Sequence, residues 1–291
     1  MSMPASMRQN VNHEALSAAS GAPGKRPLRA LDKHDGTSSV ELLGYRIDRL
    51  DLEATAQTCR DAIVRQERVH HVSLAAAKAV NARSDVRLAG ILRDAELVSA
   101  DGQSLVWASR LLGEPLPERV PGIDLMNRLL EIAEAEGFRV FFLGARPDVL
   151  ARALANLRAR HPQLIVAGSH HGYFDPESSQ SICAEINRAR PQILFVAMSS
   201  PQKEYWVSDH GSTLDLPVIV GVGGSLDVVA GVVRRAPRWM QRAGLEWAFR
   251  LLQEPGRMWR RYLFTNVRFV CMVAVAMTRR ALEQREPQRR S

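Results

Sequence analysis

Residues 193–197 read Ile-Leu-Phe-Val-Ala, and residues 218–222 read Val-Ile-Val-Gly-Val. Two similar apolar runs, at residues 140–143 and 164–167, come earlier in the chain. Continuous apolar runs, unlike alternating ones, are typical of strands buried on both faces of a parallel sheet. Helix patterns separate these runs, at residues 147–160, 178–189 and 202–210. The pattern predicts an α/β fold: a Rossmann-like, mostly parallel sheet with helices on both faces.

The rest of the chain divides into parts of different composition. Residues 1–38 are rich in Ser, Ala, Gly and Pro without periodicity, which predicts a disordered leader. We place the α/β core at residues 39–235. Its first half is predicted to hold a hairpin around Gly44 (41–50), a helix (52–65), a strand (71–74), one or two helices (76–93) and a strand (96–99). Residues 236–291 are predicted to form an Arg-rich helical appendage, with helices at 244–253 and 256–277.

Positive charge is concentrated at the C-terminal end of the chain. The net charge is +8 over 291 residues, yet residues 234–291 contain 14 Arg, no Lys and 4 Glu, which gives +10. Such a basic segment suits an anionic partner: phospholipid headgroups, a diphosphate or nucleic acid. The first forty residues lack the pattern of a signal peptide, and no run reaches the ~18–20 apolar residues of a membrane-spanning helix. Three widely spaced cysteines fit a reducing compartment.

Polar and glycine residues follow several of the predicted strands, where ligands bind in open parallel sheets. Asp101 comes just after the strand at 96–99 and could serve as a general base for a hydroxyl nucleophile. Asp is also a preferred helix N-cap, so a purely structural role is the alternative. Gln202, Lys203 and Glu204 stand at the first turn of a predicted helix, where they could bind a base or a phosphate. The alternative is an ordinary helix start.

The glycine-rich turn at residues 221–224 (Gly-Val-Gly-Gly) also follows a strand, and its backbone could approach a ligand phosphate closely. A dinucleotide fingerprint would require glycine at position 226, which is Leu226. The turn after Gly144 fails the same test. A nicotinamide-dependent enzyme is therefore disfavoured, and a tight turn without ligand remains the other interpretation.

Arg250, Arg257 and Arg260 have helical spacing and share one face of the predicted appendage. Arginine is well suited to bidentate phosphate contacts, and interleaved Trp and Tyr residues are typical of a membrane interface. A solvated basic face is the simpler alternative. A nucleic-acid partner is not expected because no recognised nucleic-acid-binding signature occurs. The paired histidines at 70–71 and 170–171 lack metal-ligand spacing, so no metal is expected.

These motifs occur in an order that resembles the WecG/TagA/CpsF glycosyltransferases (family GT26) over about residues 40–265. The resemblance is carried by the motifs at residues 100–102, 118–124, 142–144, 171–173, 201–204, 221–227, 235–237, 244–247, 250–251 and 254–257. It implies transfer of a sugar from a UDP-sugar to a polyprenyl-diphosphate-linked sugar in cell-surface polysaccharide synthesis, such as exopolysaccharide, capsule or teichoic-type polymers. It also implies inversion at the anomeric carbon, and no metal or other cofactor.

The resemblance assigns roles by position. Asp101 is implied as the general base, and Ser73 and Arg119 as further catalytic residues. The implied donor- and nucleotide-binding residues are Gly144, Tyr173, Gln202, Lys203, Glu204, Gly221, Gly223, Gly224 and Asp227. Arg250, Arg257 and Arg260 are implied to hold diphosphate when the appendage closes over the site. The expected location is the inner face of the bacterial cytoplasmic membrane, with peripheral attachment, and a homo-oligomer is left open.

Two positions depart from the family pattern. Many members have Thr-x-Asn where this chain has Ser73-Leu-Ala75, and Pro-x-Gln-Glu where it has Lys203 in place of Gln. The added charge suggests the hypothesis of an acidic donor sugar, whose carboxylate would meet Lys203. Two other classes of protein are kept as alternatives: a nucleotide-dependent oxidoreductase, and a non-catalytic basic protein that binds membranes or nucleic acid.

Overall fold

The computed structural model describes residues 29–30, 39–253 and 255–285. The strands in this part of the chain are β1 (Arg29–Ala30), β2 (Ser39–Leu42), β3 (Tyr45–Asp48), β4 (Glu67–Leu74), β5 (Leu97–Ala100), β6 (Arg139–Gly144), β7 (Ile165–His170), β8 (Ile193–Ala197) and β9 (Val218–Gly221). The helices are α1 (Leu52–Arg65), α2 (Ala76–Asn81), α3 (Val86–Asp94), α4 (Gln103–Leu111), α5 (Gly122–Glu136), α6 (Pro147–Arg160), α7 (Ser179–Ala189), α8 (Gln202–His210), α9 (Ser225–Val229), α10 (Arg238–Arg242), α11 (Glu246–Gln253) and α12 (Pro255–Arg285).

The central sheet is parallel and runs in the order β5-β4-β9-β8-β6-β7. The next strand after β4 in the chain, β5, lies on one side of β4, and strands β6 to β9 lie on its other side. The strand order therefore reverses at β4. Such a reversal opens a crevice at the carboxyl ends of the strands. The predicted parallel α/β sheet is confirmed, and β2 and β3 form the predicted antiparallel hairpin beside it.

Helices cover both faces of the sheet because consecutive strand residues point to opposite sides. On one face, α1, α5, α6 and α9 pack on Val140, Phe142 and Phe195. On the other face, α7 and α8 pack on Phe141, Leu143 and neighbouring residues of β8. All these phenylalanines are fully buried. A sheet with both surfaces covered explains why its strands are uniformly apolar.

A third apolar cluster joins the hairpin, α3 and α4 to the C-terminal end of the described chain. Phe269 and Val273 of α12 are 5% and 8% exposed and belong to this cluster. α12 therefore packs against the α/β body along one of its faces. The predicted domain boundary between residues 235 and 236 stays a prediction. The apolar core of the α/β body nevertheless includes side chains from the segment after that boundary.

The stretch predicted as one or two helices, 76–93, contains two, because Asp85 accepts a hydrogen bond from the Leu88 N–H (2.9 Å) and caps a new helix, α3. The predicted leader differs from the structure at two residues. Arg29–Ala30 pairs with the start of β4, at residues that neither β5 nor β9 covers. Residues 29 and 30, which were predicted to belong to a disordered leader, therefore form a strand. The remaining residues of the predicted leader, 1–38, lie outside the described residues.

Candidate active site

Asp101 lies directly after β5, at the carboxyl edge of the sheet. Its N–H donates to the Leu74 carbonyl at the end of β4 (2.7 Å), which ties the ends of the two strands together. Gly102 is the N-cap residue of α4, and that helix has no side-chain cap. The N-cap position, which the alternative interpretation gave to Asp101, therefore belongs to Gly102.

Two cations, Lys203 and Arg235, interact electrostatically with Asp101. The negative charge of Asp101 favours the charged form of both groups. It partly offsets the lowering of the Lys203 pKa, and it helps to raise the pKa of Arg235. Burial lowers the pKa of Arg235, but the carboxylates of Asp124, Glu246 and Asp101 together raise it above its usual value. Arg235 donates to both carboxylate oxygens of Asp124, at 2.5 and 2.6 Å. Asp101 thus belongs to a mixed-charge group at the strand ends.

Lys203 and Glu204 form a buried charged cluster with Lys78 of α2. The Lys78 and Lys203 ammonium groups lie 2.7 and 2.6 Å from Glu204 Oε1, and all three side chains are less than 10% exposed. Burial would raise the pKa of Glu204, but the two lysines lower it to about 2. The cluster therefore carries a net charge of +1 while both lysines are protonated.

The same cluster is anchored to β4 and to the glycine-rich turn. Lys78 Nζ donates to the Ser73 carbonyl at 2.5 Å. A Cβ on Gly221 would lie 2.9 Å from Lys203 Cε, so glycine at this position lets the end of β9 lie on the lysine side chain. Ser73 itself is 7% exposed. The predicted site residues Ser73, Lys203, Glu204 and Gly221 are thus brought together.

Gly144 has a structural reason of its own to be glycine. Its φ is +134°, and a Cβ there would lie 2.4 Å from the carbonyl carbon of Ala197. No side chain fits between the ends of β6 and β8. Gly223 also has positive φ, +53°, and Gly224 lies beside Asp227, whose Oδ2 would be 3.5 Å from an added Cβ. Gly144 is buried between the strand ends, whereas Gly224 is exposed at the edge of the sheet.

Tyr173 and Asp227 both lie within electrostatic reach of Arg146, which was not singled out from the sequence. Tyr173 follows β7 and is 70% exposed, while Asp227 belongs to α9. The pKa of Arg146 is raised, chiefly by its hydrogen bonds to Asp148 and further by the charges of Tyr173 and Asp227. An exposed aromatic ring beside an arginine and a carboxylate can stack on a base and bind hydroxyl or phosphate groups.

Arg119 connects the body to the appendage. Its guanidinium donates to Glu246 Oε2 of α11 (3.1 Å) and to Gln241 Oε1 of α10 (3.0 Å). Arg235 Nε lies 3.8 Å from the other oxygen of Glu246. A carboxylate of the appendage therefore lies between two arginines at the site, in an arrangement that also suits a phosphate group.

The structure describes fewer contacts for the remaining predicted site residues. Gln202 accepts a hydrogen bond from the Ser199 hydroxyl (2.6 Å) at the start of α8. Arg250 lies in α11, and Arg257 and Arg260 lie in the first turns of α12, but their side chains are outside what the structure describes. Their diphosphate-binding role stays a prediction. Within the described residues, no group of three or more His, Cys, Asp or Glu side chains could hold a metal ion.

The sequence offered only weak signals for the residues that were missed. Lys78 lies in the stretch predicted as one or two helices, 76–93, but nothing in its spacing predicts that it reaches Glu204. Arg235 and Glu246 stand in quoted motifs, but their pairing with Asp124 and Arg119 spans more than 100 residues. Such pairs become visible only when the fold brings distant segments together.

A parallel sheet with a carboxylate, buried cations and a glycine-rich turn at its carboxyl edge defines an α/β enzyme built for a phosphorylated substrate. A family model described as "Glycosyl transferase WecG/TagA/CpsF family" matches residues 40–283. The chain belongs to the WecG/TagA/CpsF family of glycosyltransferases. The predicted resemblance is confirmed, and the oxidoreductase and non-catalytic alternatives are set aside.

Curated relatives agree with this assignment. A protein of Staphylococcus aureus (strain MW2), named N-acetylglucosaminyldiphosphoundecaprenol N-acetyl-beta-D-mannosaminyltransferase, is 32% identical over 232 residues, which are 79% of this chain and 91% of the relative. A protein of the same name from strain NCTC 8325 / PS 47 is 32% identical over 224 residues, 76% of this chain and 87% of the relative. The family model, at residues 40–283, covers the central sheet, the candidate site and much of the appendage.

Proposed function

We propose that this glycosyltransferase moves a sugar from a UDP-sugar to a sugar carried on a polyprenyl diphosphate, in the synthesis of a cell-surface polysaccharide. The name of the relatives, which specifies a diphosphoundecaprenol-linked acceptor, supports this acceptor class. Capsule, exopolysaccharide and teichoic-type polymers are all built on such carriers and fall within the proposal.

The observation that carries the mechanism is the position of Asp101 at the strand ends, in the electrostatic reach of Lys203 and Arg235. In the proposed reaction, Asp101 takes the proton of the acceptor hydroxyl. The hydroxyl oxygen bonds to the anomeric carbon as the bond from that carbon to the UDP oxygen breaks, and UDP leaves with the electron pair. Attack opposite the leaving group inverts the anomeric configuration. Nearby cations stabilise the diphosphate that departs.

The nucleotide is proposed to bind on the side of the site formed by β6, β7 and β9. Tyr173 offers an exposed ring for the base, while Arg146 and Asp227 offer partners for phosphate and hydroxyl groups. Among the described residues other than its chain neighbours, none has an atom within 4 Å of the position that a Cβ on Gly223 would take, so the glycine-rich turn leaves room for the donor there. The Lys203 ammonium group is already paired with Glu204. A preference of this site for an acidic donor sugar therefore stays a prediction.

The appendage is proposed to attach the enzyme peripherally to the inner face of the cytoplasmic membrane. Among the described residues, no helix is long and apolar enough to span a bilayer. The outward face of α12 nevertheless exposes Phe264, Val267, Val270 and Val275, each at least 50% accessible, opposite the face that packs on the body. An exposed apolar face on an Arg-rich helix suits the interface between headgroups and acyl chains.

The test is a panel of neutral and acidic UDP-sugars against a diphospho-polyprenyl-linked sugar, with and without a chelator of divalent cations. We expect one donor to be used, an inverted anomeric linkage in the product, and equal rates in both conditions. No transfer from any UDP-sugar would contradict the donor class. Loss of activity with the chelator would contradict metal independence, and clear preference for a neutral sugar would count against the acidic-donor hypothesis.

A further inference from the structure

The helix that follows the candidate base has an exposed apolar face. α4 starts at Gln103, two residues after Asp101, and its Trp107 and Leu111 are 46% and 61% exposed. These two residues are four apart and so lie on the same side of the helix. Leu105, Val106 and Ala108 fill the core beneath them. α4 therefore packs on the core through one set of apolar side chains and exposes a second set to the surface.

The appendage frames this face at both ends of α4. At one end, the backbone of Gly244 lies on the Trp107 ring, since a Cβ on Gly244 would lie 2.7 Å from the ring edge. At the other end, Arg280 of α12 donates to the Leu112 carbonyl and lies against Gly113. The exposed residues of α4 thus share one region of the surface with the segments that are proposed to meet the membrane.

A second exposed tryptophan lies close to the first. Trp239 of α10 is 64% exposed, and its carbonyl accepts from the Ala243 N–H (2.9 Å), next to the glycine that covers Trp107. Gln241, on the other side of this short helix, bonds to Arg119 of the body. α10 therefore turns Gln241 inward and Trp239 outward, beside α4.

The charged side chains of α4 and α10 are all positive. Arg110 of α4 and Arg238 and Arg242 of α10 are exposed, and neither helix contains an acidic residue. The acids next to them along the chain are Asp101, before α4, Glu114, after α4, and Glu246, after α10; Glu114 and Glu246 both pair with arginines. Two helices that expose tryptophan and leucine and have arginine as their charged residue match the composition of a surface that contacts anionic lipid headgroups.

We propose that α4 and α10 form a second membrane-contact surface, in which Trp107, Leu111 and Trp239 enter the headgroup region of an anionic bilayer. This inference rests on the proposed membrane attachment and extends it from the appendage to the α/β body. Leu111 is ten residues from Asp101, which is about 15 Å along a helix. Contact through α4 therefore fixes the candidate base at a short distance from the bilayer, where a lipid-linked sugar is available.

The first test measures binding of the full chain to vesicles of 30% phosphatidylglycerol and 70% phosphatidylcholine by sedimentation. The variant Trp107→Gln/Leu111→Gln is expected to weaken the apparent binding constant at least tenfold. The control is Val86→Gln, which replaces an 87% exposed apolar residue on α3, away from this surface, and should bind as the wild type does. Equal binding by both variants would overturn the inference while leaving attachment through the appendage intact.

The second test does not depend on removing packed side chains. Leu111→Cys and Val86→Cys are made in a Cys271→Ser background, where the remaining thiols of Cys59 and Cys183 are buried, and are labelled with a polarity-sensitive fluorophore. A blue shift at position 111 but not at position 86 on adding these vesicles supports the inference. A shift at position 111 that grows with protein concentration without vesicles identifies a second copy of the chain as the occupant and overturns it. If the wild type binds no vesicles, the proposed attachment fails together with this inference.

Discussion

Asp101 is held by backbone geometry, since its N–H bonds to the end of the neighbouring strand and its own strand is fully buried. This backbone hydrogen bond does not involve the carboxylate, so it is kept when the side chain is changed. This makes the residue suitable for separating chemistry from binding.

For Asp101→Asn we expect a loss of transfer activity of about 10²- to 10⁴-fold, the usual contribution of a general base. The amide has nearly the same shape, so UDP binding should stay within a few-fold of the wild type. Transfer assays with a lipid-linked acceptor and calorimetric titration of UDP measure the two quantities. Asp94→Asn, at the exposed end of α3, is the matched control, and a fully active Asp101→Asn would refute the role of the base.

Lys203 provides a prediction about pH. Burial and the charge of Lys78 lower its pKa to about 8, well below the usual value near 10.5, although Glu204 opposes this. A lysine with a lowered pKa loses its proton as the pH rises through about 8, so the cluster with Lys78 and Glu204 goes from +1 to neutral. We expect KM for the UDP-sugar to rise about fivefold across this range, from the loss of ~1 kcal/mol of attraction.

The control for this pH effect is a change of the titrating group. Lys203→Gln, which matches the family pattern at this position, should show no step near pH 8. Lys203→Arg should move the step beyond the accessible range, because arginine stays charged. If the Gln variant keeps the same step, another group is responsible.

At the scale of elements, α12 has two apolar faces with different roles. Phe269 lies in the core, whereas the adjacent Val270 is 65% exposed. We expect Phe269→Ala to lower the free energy of unfolding by about 3–5 kcal/mol, because it leaves a cavity beneath α12. Val270→Ala should change it by about 0.5 kcal/mol or less. Denaturant titration of both variants provides the comparison, and equal effects would show that α12 is not part of the core.

The contact between α11 and the body depends on Glu246. We expect Glu246→Gln to weaken its pairing with Arg119 and to raise the rate of trypsin cleavage after Arg242 about tenfold, as the segment opens more often. Glu131→Gln removes the carboxylate of an exposed ion pair on α5 and should leave this rate unchanged. Unchanged cleavage in both variants would mean that other contacts hold α11 in place.

The strands and their carboxyl edge could be predicted from the sequence because continuous apolar runs have few alternative structures. Asp101, Lys203 and the glycine-rich turn were found for the same reason, as each follows a strand. The placement of α12 could not be predicted, since its two apolar faces give no sequence signal for which one packs. The links from Arg119 to Glu246 and from Lys78 to Glu204 also depend on segments more than 100 residues apart.

The whole molecule is strongly polarised, with +10 of formal charge in residues 234–291 and a small negative charge in the remainder. We expect vesicle binding to require anionic lipid and to weaken at least tenfold between 50 and 500 mM salt, since headgroup attraction is screened. The apolar contacts should leave a weaker, salt-resistant component. Equal binding to purely zwitterionic vesicles would contradict the electrostatic part.

The packing of α12 has a consequence for how the protein is made. Its partner in the core, α2, carries Lys78, whereas Phe269 and Val273 are translated about 190 residues later. Because domains fold as their parts emerge, α2 stays uncovered by α12 until that helix has left the ribosome. Nascent chains therefore complete the body of the transferase only once the segment proposed to contact lipid has also been made.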